Sequence, residues 1–358
     1  MTISDKKLKK ILHSPEAAAT FADLIYVTEE HLTITRKRND EGFTYDRNGK
    51  AVKTKKILKR INELVIPPAW EEVLIAEPEN GHLQAVGRDD KSRKVYLYHE
   101  NWNKLRNETK FFKMAAFANI LPQIRKQVDE DLDAPEMTQR KVLALVIRLM
   151  EETHIRIGNE SYARTNKTYG LSTLRTRHVK TTSKNMVFKF VGKKSVEHEV
   201  SVNDKKLIKL VTQCEEIPGW ELFKYYDEDH VKHRVDSGMV NDYIHAISGD
   251  LFSAKDFRTW AATIIFFEKM REIGYVEEEK KNAKNLLIGF DAAAEGLGNT
   301  RDVVRNYYVH PQLVNSYETG EIVPYFEKVE KTKANSKERF SPTEKVITEM
   351  LGQYEVTF

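Results

Sequence analysis

Two adjacent tyrosines, Tyr307 and Tyr308, close a short segment that opens on Gly298-Asn299 and stops at His310-Pro311, with Arg301 and Arg305 about one helical turn apart inside it. A tyrosine hydroxyl can act as a nucleophile, but a phenol with an ordinary pKa of about 10 needs cationic help to attack at neutral pH. If the target is a phosphodiester, the same cations also hold the anionic centre under attack. A single tyrosine is more often packing than chemistry, so the rest of the chain has to supply its partners.

Basic residues at three places in the chain are candidates. Lys255 and Arg258 lie three residues apart at the start of a very apolar run, 260–267, with Ser253 as a cap. That spacing puts both on one helix face. Cations at a helix N-terminus oppose its dipole and need compensation, which a bound phosphate would supply. Arg156 follows an apolar stripe (Val142, Leu143, Val146, Leu149, Met150) and precedes Gly158, so it stands where a helix end meets a cleft. The plainer reading is an arginine satisfying terminal carbonyls. Lys193 and Lys194 occupy the tip Gly192-Lys193-Lys194-Ser195 between two β-patterned runs, 186–191 and 196–200. A tip lysine is ordinarily a solvated charge, yet one placed there can reach a nucleic-acid groove and donate a proton.

The elements that position these residues follow from period and punctuation. In the first hundred residues, Ser14-Pro15-Glu16 starts a helix, 32–36 alternates as a strand and 47–50 is a hairpin turn. Ile57, Leu58, Ile61, Leu64 and Val65 recur at helical spacing, and that helix must end before Pro67-Pro68. Strands are expected at 72–76, 83–88 and 95–98. Within them Gln84 can pair with a base edge, and Arg88, Lys91, Arg93 and Lys94 cluster with Tyr96 and Tyr98, either as a DNA-contacting hairpin or as a solvated, charged one. From residue 101 the period becomes helical, with further helices at 203–213, 237–247 and 277–294. Residues 327–339 read as a charged, mobile connector. Ser341-Pro342-Thr343-Glu344 has capping-box spacing and opens a short docked helix through Leu351.

The expected fold class is α+β: a strand-rich N-terminal domain over 1–100, a mainly helical catalytic domain with a small antiparallel sheet over 101–325, and a connector with a short helix over 326–358. At 358 residues, with 40% hydrophobic and 10% aromatic residues, the chain can bury a sizeable core. Its 31% charged residues and net charge of +4 suit a nucleic-acid partner without demanding one. The single cysteine, Cys214, excludes an intrachain disulfide and any Cys-rich metal motif. The charged first ten residues lack the apolar core of a signal peptide, and no run reaches membrane-spanning length, so a cytoplasmic location is expected.

Taken in order, Arg156-Ile157-Gly158, Thr168-Tyr169-Gly170-Leu171-Ser172-Thr173-Leu174, Phe190-Val191-Gly192-Lys193, Lys255-Asp256-Phe257-Arg258-Thr259 and Tyr308-Val309-His310-Pro311, preceded by Ile66-Pro67-Pro68-Ala69-Trp70, resemble the type IB DNA topoisomerases, in particular their poxvirus-like and bacterial branch. The resemblance implies a clamp on duplex DNA, supercoiled by preference, formed by a monomer at the nucleoid without metal, ATP or other cofactor. It also implies that Tyr308 attacks a backbone phosphate, that Arg156 and Arg258 hold the phosphate oxygens, and that Lys193, supported by Lys255, protonates the departing 5′-oxygen. Asn299 departs from the histidine many relatives carry there; its amide can donate a hydrogen bond but brings no charge. Tyr307 is expected to be packing. Two rival readings are a tyrosine recombinase, which would usually have histidine in place of Lys255, and a non-catalytic DNA-clamping protein.

Overall fold

The computed structural model describes residues 10–40 and 42–352, so most of the charged N-terminus and the last six residues lie outside what can be described. The chain falls into two compact units that divide between Phe112 and Lys113.

The first unit is built on a six-stranded antiparallel sheet in the order β3-β2-β1-β4-β5-β6. Its strands are β1 (Ile34–Asn39), β2 (Gly42–Arg47), β3 (Lys50–Ala51), β4 (Glu71–Ile75), β5 (Leu83–Arg88) and β6 (Lys94–Tyr98). The expected turn joins β2 to β3 through Asn48 and Gly49, both at positive φ (49° and 79°), as a two-residue hairpin with native twist requires. A helix, α1 (Pro15–Phe21), precedes the sheet, and α2 (Lys55–Glu63) packs Ile61 on Ile34, Val73, Ile75 and Ala85. The proline pair after α2 leaves carbonyls without ladder partners. Arg36 donates to those of Ile66, Pro67 and Trp70 at 3.2, 3.0 and 2.6 Å, and Arg38 to Pro68 at 2.8 Å. Guanidinium forks therefore hold the Ile66-Pro67-Pro68-Ala69-Trp70 stretch.

The second unit is mainly helical. α3 (Glu100–Leu132) spans the division, and α4 (Gln139–Thr153) follows with ten of its residues buried. After the short α5 (Glu160–Thr165) comes a three-stranded antiparallel sheet, β7 (Val179–Thr181), β8 (Met186–Val191) and β9 (Glu197–Val202). Next are α6 (Lys205–Glu216), the hairpin β10 (Lys224–Tyr226) and β11 (Lys232–Arg234), and α7 (Ser237–Ser248). The apolar run expected to cross the core is α8 (Ala254–Ile273): Phe257, Phe266, Phe267 and Met270 are buried along it, and Phe257 meets Phe117 edge-on at 5.0 Å. α9 (Glu279–Leu297), α10 (Arg301–Tyr307) and α11 (Pro311–Thr319) then lead through α12 (Val323–Lys331) to α13 (Pro342–Leu351).

The α+β class holds, with one local correction. Residues 327–339 are not a connector without secondary structure. α12 covers them to Lys331, burying Phe326 and Val329, and Arg339 Nε donates to Asp129 at 2.9 Å. Their average charge hides Val329, which shares a helix face with Phe326 just before the stretch, and that pair suffices to dock one helix face. α13 is capped as its spacing predicts, Glu344 N donating to Ser341 Oγ at 3.1 Å. Glu344 then turns inward, accepting from Arg125 at 2.7 and 3.0 Å and from Trp260 Nε1 at 3.0 Å. Among the described residues no helix is long and apolar enough to cross a membrane.

Candidate active site

Five separated segments of the second unit converge on one cavity of about 350 Å³, lined by Arg156, Lys193, Lys255, Arg258 and Tyr308 together with Tyr162, Thr168 and Tyr169. Arg156 reaches it because α4 ends at His154, a left-handed cap (φ 53°), after which the chain turns extended. The Arg156-Ile157-Gly158 loop is held by the stretch Gly170-Leu171-Ser172: Leu171 N donates to Arg156 O at 2.8 Å, and Ser172 N and Oγ to Ile157 O at 2.7 and 2.8 Å. The two strands of chain approach so closely that a Cβ on Gly170 would lie 2.4 Å from Arg156 O and 2.5 Å from Gly158 N. Only a residue without a side chain fits there. Tyr169 N donates to Val191 O at 2.8 Å, so the same stretch also anchors the hairpin that carries Lys193.

Arg258 lies in the first turn of α8, buried to 5% exposure. Asp256 closes the capping box with Ser253 (2.8 Å to its N–H) and pairs with Lys113 at 2.8 Å, putting a carboxylate where the dipole favours one. The expectation that a bound phosphate compensates the cations is therefore only part of the account. Arg258 Nη2 donates to Leu297 O at 2.8 Å, and its Nη1 donates to His154 O. These are carbonyls at the C-terminal ends of α9 and α4, where backbone acceptors have no helical partner. The guanidinium thus ties together the ends of the two helices that precede Arg156 and Asn299. Lys255, in contrast, is exposed.

Asn299 follows the left-handed cap Gly298 of α9, and its Oδ1 accepts from Arg156 Nη2. Its Nδ2 and the Nε of Arg258 are both buried with no hydrogen-bond partner among the described residues. Buried donors are nearly always satisfied, so two orphans of the same kind in one site indicate a place shaped for an acceptor. Tyr308 is the cap residue at the joint between α10 and α11. Thr263 of α8 fixes that joint, donating to Tyr308 O and accepting from His310 N, each at 3.3 Å. Val309 and His310 are fully buried and Pro311 starts α11, which accounts for the Val-His-Pro sequence after the tyrosine.

The electrostatics centre on Tyr308. Burial alone pushes its phenol up, but Arg258, then Arg156 and Lys255, more than offset this and hold it below the usual tyrosine value. Tyr308 in turn favours the charged form of both guanidinium groups. Burial, followed by the charge of Arg156, pushes Arg258 down to about 10, with Tyr308 opposing. The ammonium of Lys193 is also held below the ordinary lysine value, by the protein packed around it and then by Arg156, although the residue as a whole stays exposed.

Some expectations need correction. Arg301 and Arg305 do not serve the tyrosine: Arg301 pairs with Asp291 at 2.5 Å, and Arg305 lies over the Phe290 ring at 5.9 Å. Tyr307 is half-exposed, at 51%, on the helix side of the joint. In the first unit, Arg88, Lys91, Arg93, Lys94 and Tyr96 do share the β5–β6 hairpin, with Tyr96 stacked on Tyr98 at 5.9 Å. Arg88 is paired with Glu72 at 2.6 Å and Arg93 with Asp89 at 2.5 Å. Gln84 is no base reader. It is 3% exposed, its amide donates to Glu79 O and Gly81 O at 2.9 and 2.7 Å, and it accepts from Arg60 at 2.9 Å. Lys194 stands beside Lys193, exposed and at positive φ (62°). Tyr162 and Tyr169 of the cavity wall received no role from the sequence, where tyrosines carry no positional signal of their own.

Comparison with known proteins shows the family. The sequence pattern described as "Eukaryotic DNA topoisomerase I, catalytic core" matches residues 99–336, and "Bacterial DNA topoisomerase IB, N-terminal domain" matches 42–89. The chain is 32% identical over 304 residues to DNA topoisomerase 1B of Acanthamoeba polyphaga mimivirus, covering 82% of this chain and 90% of that one. It is 24% identical over 261 residues to DNA topoisomerase 1B of vaccinia virus (strain Copenhagen), covering 71% and 77%, and 26% identical over 271 residues to DNA topoisomerase 1 of rabbit fibroma virus, covering 72% and 79%. The chain belongs to the type IB DNA topoisomerases, isomerases that act on DNA.

Proposed function

We propose that this enzyme relaxes supercoiled duplex DNA by transient cleavage of one strand, with Tyr308 as the nucleophile. The observation that carries the reading is the convergence of Tyr308 with Arg156, Arg258, Lys193 and Lys255 in one cavity beside two orphaned buried donors. In this reading the Tyr308 Oη–P bond forms as the P–O5′ bond breaks. The electron pair leaves on the 5′-oxygen, which takes a proton from Lys193, with Lys255 supporting the proton path. Arg156 and Arg258 spread their donors over the non-bridging oxygens, and the Asn299 amide adds a neutral one. A lysine held below its ordinary pKa is a better acid for that proton at neutral pH.

The product is a 3′-phosphotyrosine and a free 5′-hydroxyl. Because one phosphodiester replaces another, no bond energy is lost, and resealing after the strand swivels needs no ATP. The positive charge comes from arginines, so the reading requires no metal. We further place the enzyme inside the cell, on the chromosome, acting as a monomer, with the basic and aromatic hairpin Arg88 to Tyr98 against the phosphate backbone.

The test is relaxation of supercoiled plasmid in EDTA with ATP absent. Ladders of topoisomers are expected; binding without relaxation, or recombination between duplexes without ladders, would transfer the chain to one of the two rival activities. The pH dependence follows from the site. The reactive form of Tyr308 is the phenolate, whose fraction rises with pH, and its neighbours lower the phenol's pKa. Single-turnover cleavage should therefore fall as pH drops, along a limb centred below the ordinary tyrosine value of about 10. Removing a cation in Arg156→Ala should move that limb to higher pH; an unchanged midpoint would contradict the assignment.

A further inference from the structure

His198 lies on β9 opposite Phe190 and stacks on its ring (5.0 Å, 11°). Its imidazole is wedged between two glycines distant in sequence. A Cβ on Gly192 would lie 2.6 Å from His198 Cδ2 and Nε2; one on Gly298 would lie 2.5 Å from Cε1 and 3.2 Å from Nδ1. Gly192 immediately precedes Lys193, and Gly298 immediately precedes Asn299. The backbone of Gly192 (φ −96°) is open to any residue, so what demands glycine there is the space the ring occupies. The tip beyond it holds Lys194 and Ser195 both at left-handed φ (62° and 60°), a conformation that persists only when surrounding structure supports it.

We infer that His198 is a positioning residue that braces the Lys193 hairpin against the Asn299 turn, so that the proton donor and the amide donor approach Tyr308 as one unit. The inference rests on the reading of Lys193 as the proton donor. In the resting site the ring is neutral at physiological pH, since burial and then Arg156 and Arg258 lower its pKa. It acts by shape and by stacking, contributing no charge.

The test is single-turnover cleavage by the full chain of a duplex it cuts, carrying either the ordinary 5′-oxygen or a bridging 5′-sulfur at the scissile phosphate. A thiolate leaves without a proton, its conjugate acid having a pKa of about 8.5. His198→Ala should slow oxygen cleavage by roughly 10²-fold, the order expected for a misplaced acid, and sulfur cleavage by no more than about threefold. Gly192→Ala, whose methyl overlaps the ring, should show the same oxygen-selective loss, and it keeps the test open should His198→Ala not fold. With both changes together the overlap is gone, so the added methyl should cost nothing beyond His198→Ala alone.

Equal loss on oxygen and sulfur, no loss on either, or multiplicative losses in the double variant would overturn the bracing role. Lys193→Ala run alongside separates the two levels. If its own defect is not relieved by sulfur, the proton-donor reading fails and takes this inference with it. A relieved Lys193→Ala beside an unrelieved His198→Ala sinks the bracing role alone.

Discussion

Tyr308→Phe is expected to abolish plasmid relaxation and covalent capture of DNA, a loss of about 10⁴-fold or more, as for removal of the nucleophile in other covalent enzymes. DNA binding should persist, because phosphate contacts dominate affinity and the phenol is one atom among many. The fold should persist too: the joint is held by backbone atoms of Tyr308 and His310 on Thr263, and the substitution leaves these in place. Tyr307→Phe makes the control. Tyr307 is exposed and stands outside the cationic cavity, so its loss should leave relaxation within a few fold. The measurement is a relaxation time course on both variants. Activity retained in Tyr308→Phe and lost in Tyr307→Phe would exchange their roles.

The second large effect concerns Arg258. Arg258→Ala should slow cleavage by about 10³–10⁵-fold, the range measured when an arginine is withdrawn from a phosphoryl-transfer transition state. Two contributions add. The non-bridging oxygens lose a fork, and Tyr308 loses the cation that most lowers its pKa. Arg258→Lys should recover little, since one ammonium cannot serve both the His154 and Leu297 carbonyls and still present donors to a phosphate. Its shorter reach also unties the two helix ends that place Arg156 and Asn299, so Arg156→Ala and Arg258→Ala should combine less than multiplicatively. Single-turnover rates for the four chains give the cycle. An Arg258→Ala rate within tenfold of the unchanged chain would remove Arg258 from the chemistry.

Much of this site was legible in the sequence because its residues are marked by punctuation. Gly158 and Gly170, the Gly192-Lys193 tip, the Ser253 cap and the Val309-His310-Pro311 joint are all local signals, and each positions a neighbouring functional side chain. What was not legible depends on what lies across space. Gln84 sits in a short strand-like run where nothing local marks a polar residue as buried, but β5 is flanked by β4 and β6 and covered on both faces, and its amide closes the 79–81 turn. Arg301 and Arg305 are nearest to Tyr308 in sequence, yet α10 points them at Asp291 and Phe290, whereas the effective cations come from 50 and 152 residues upstream. His198 carries no motif at all. Its place emerges only once the hairpin and the Gly298 turn are set side by side. Residues 327–339 were misread because composition averages over faces, and Val329, paired with Phe326 just before the stretch, docks the helix in spite of the charge around it.

The most direct test of the account is to trap the chain on a suicide duplex, whose short 5′-fragment diffuses away after cleavage, and to map the labelled peptide. The account predicts a single adduct, a DNA 3′-phosphate esterified to Tyr308, formed in EDTA. An adduct on Tyr307 or any other residue, a 5′-phosphate linkage, or cleavage with no adduct would contradict it.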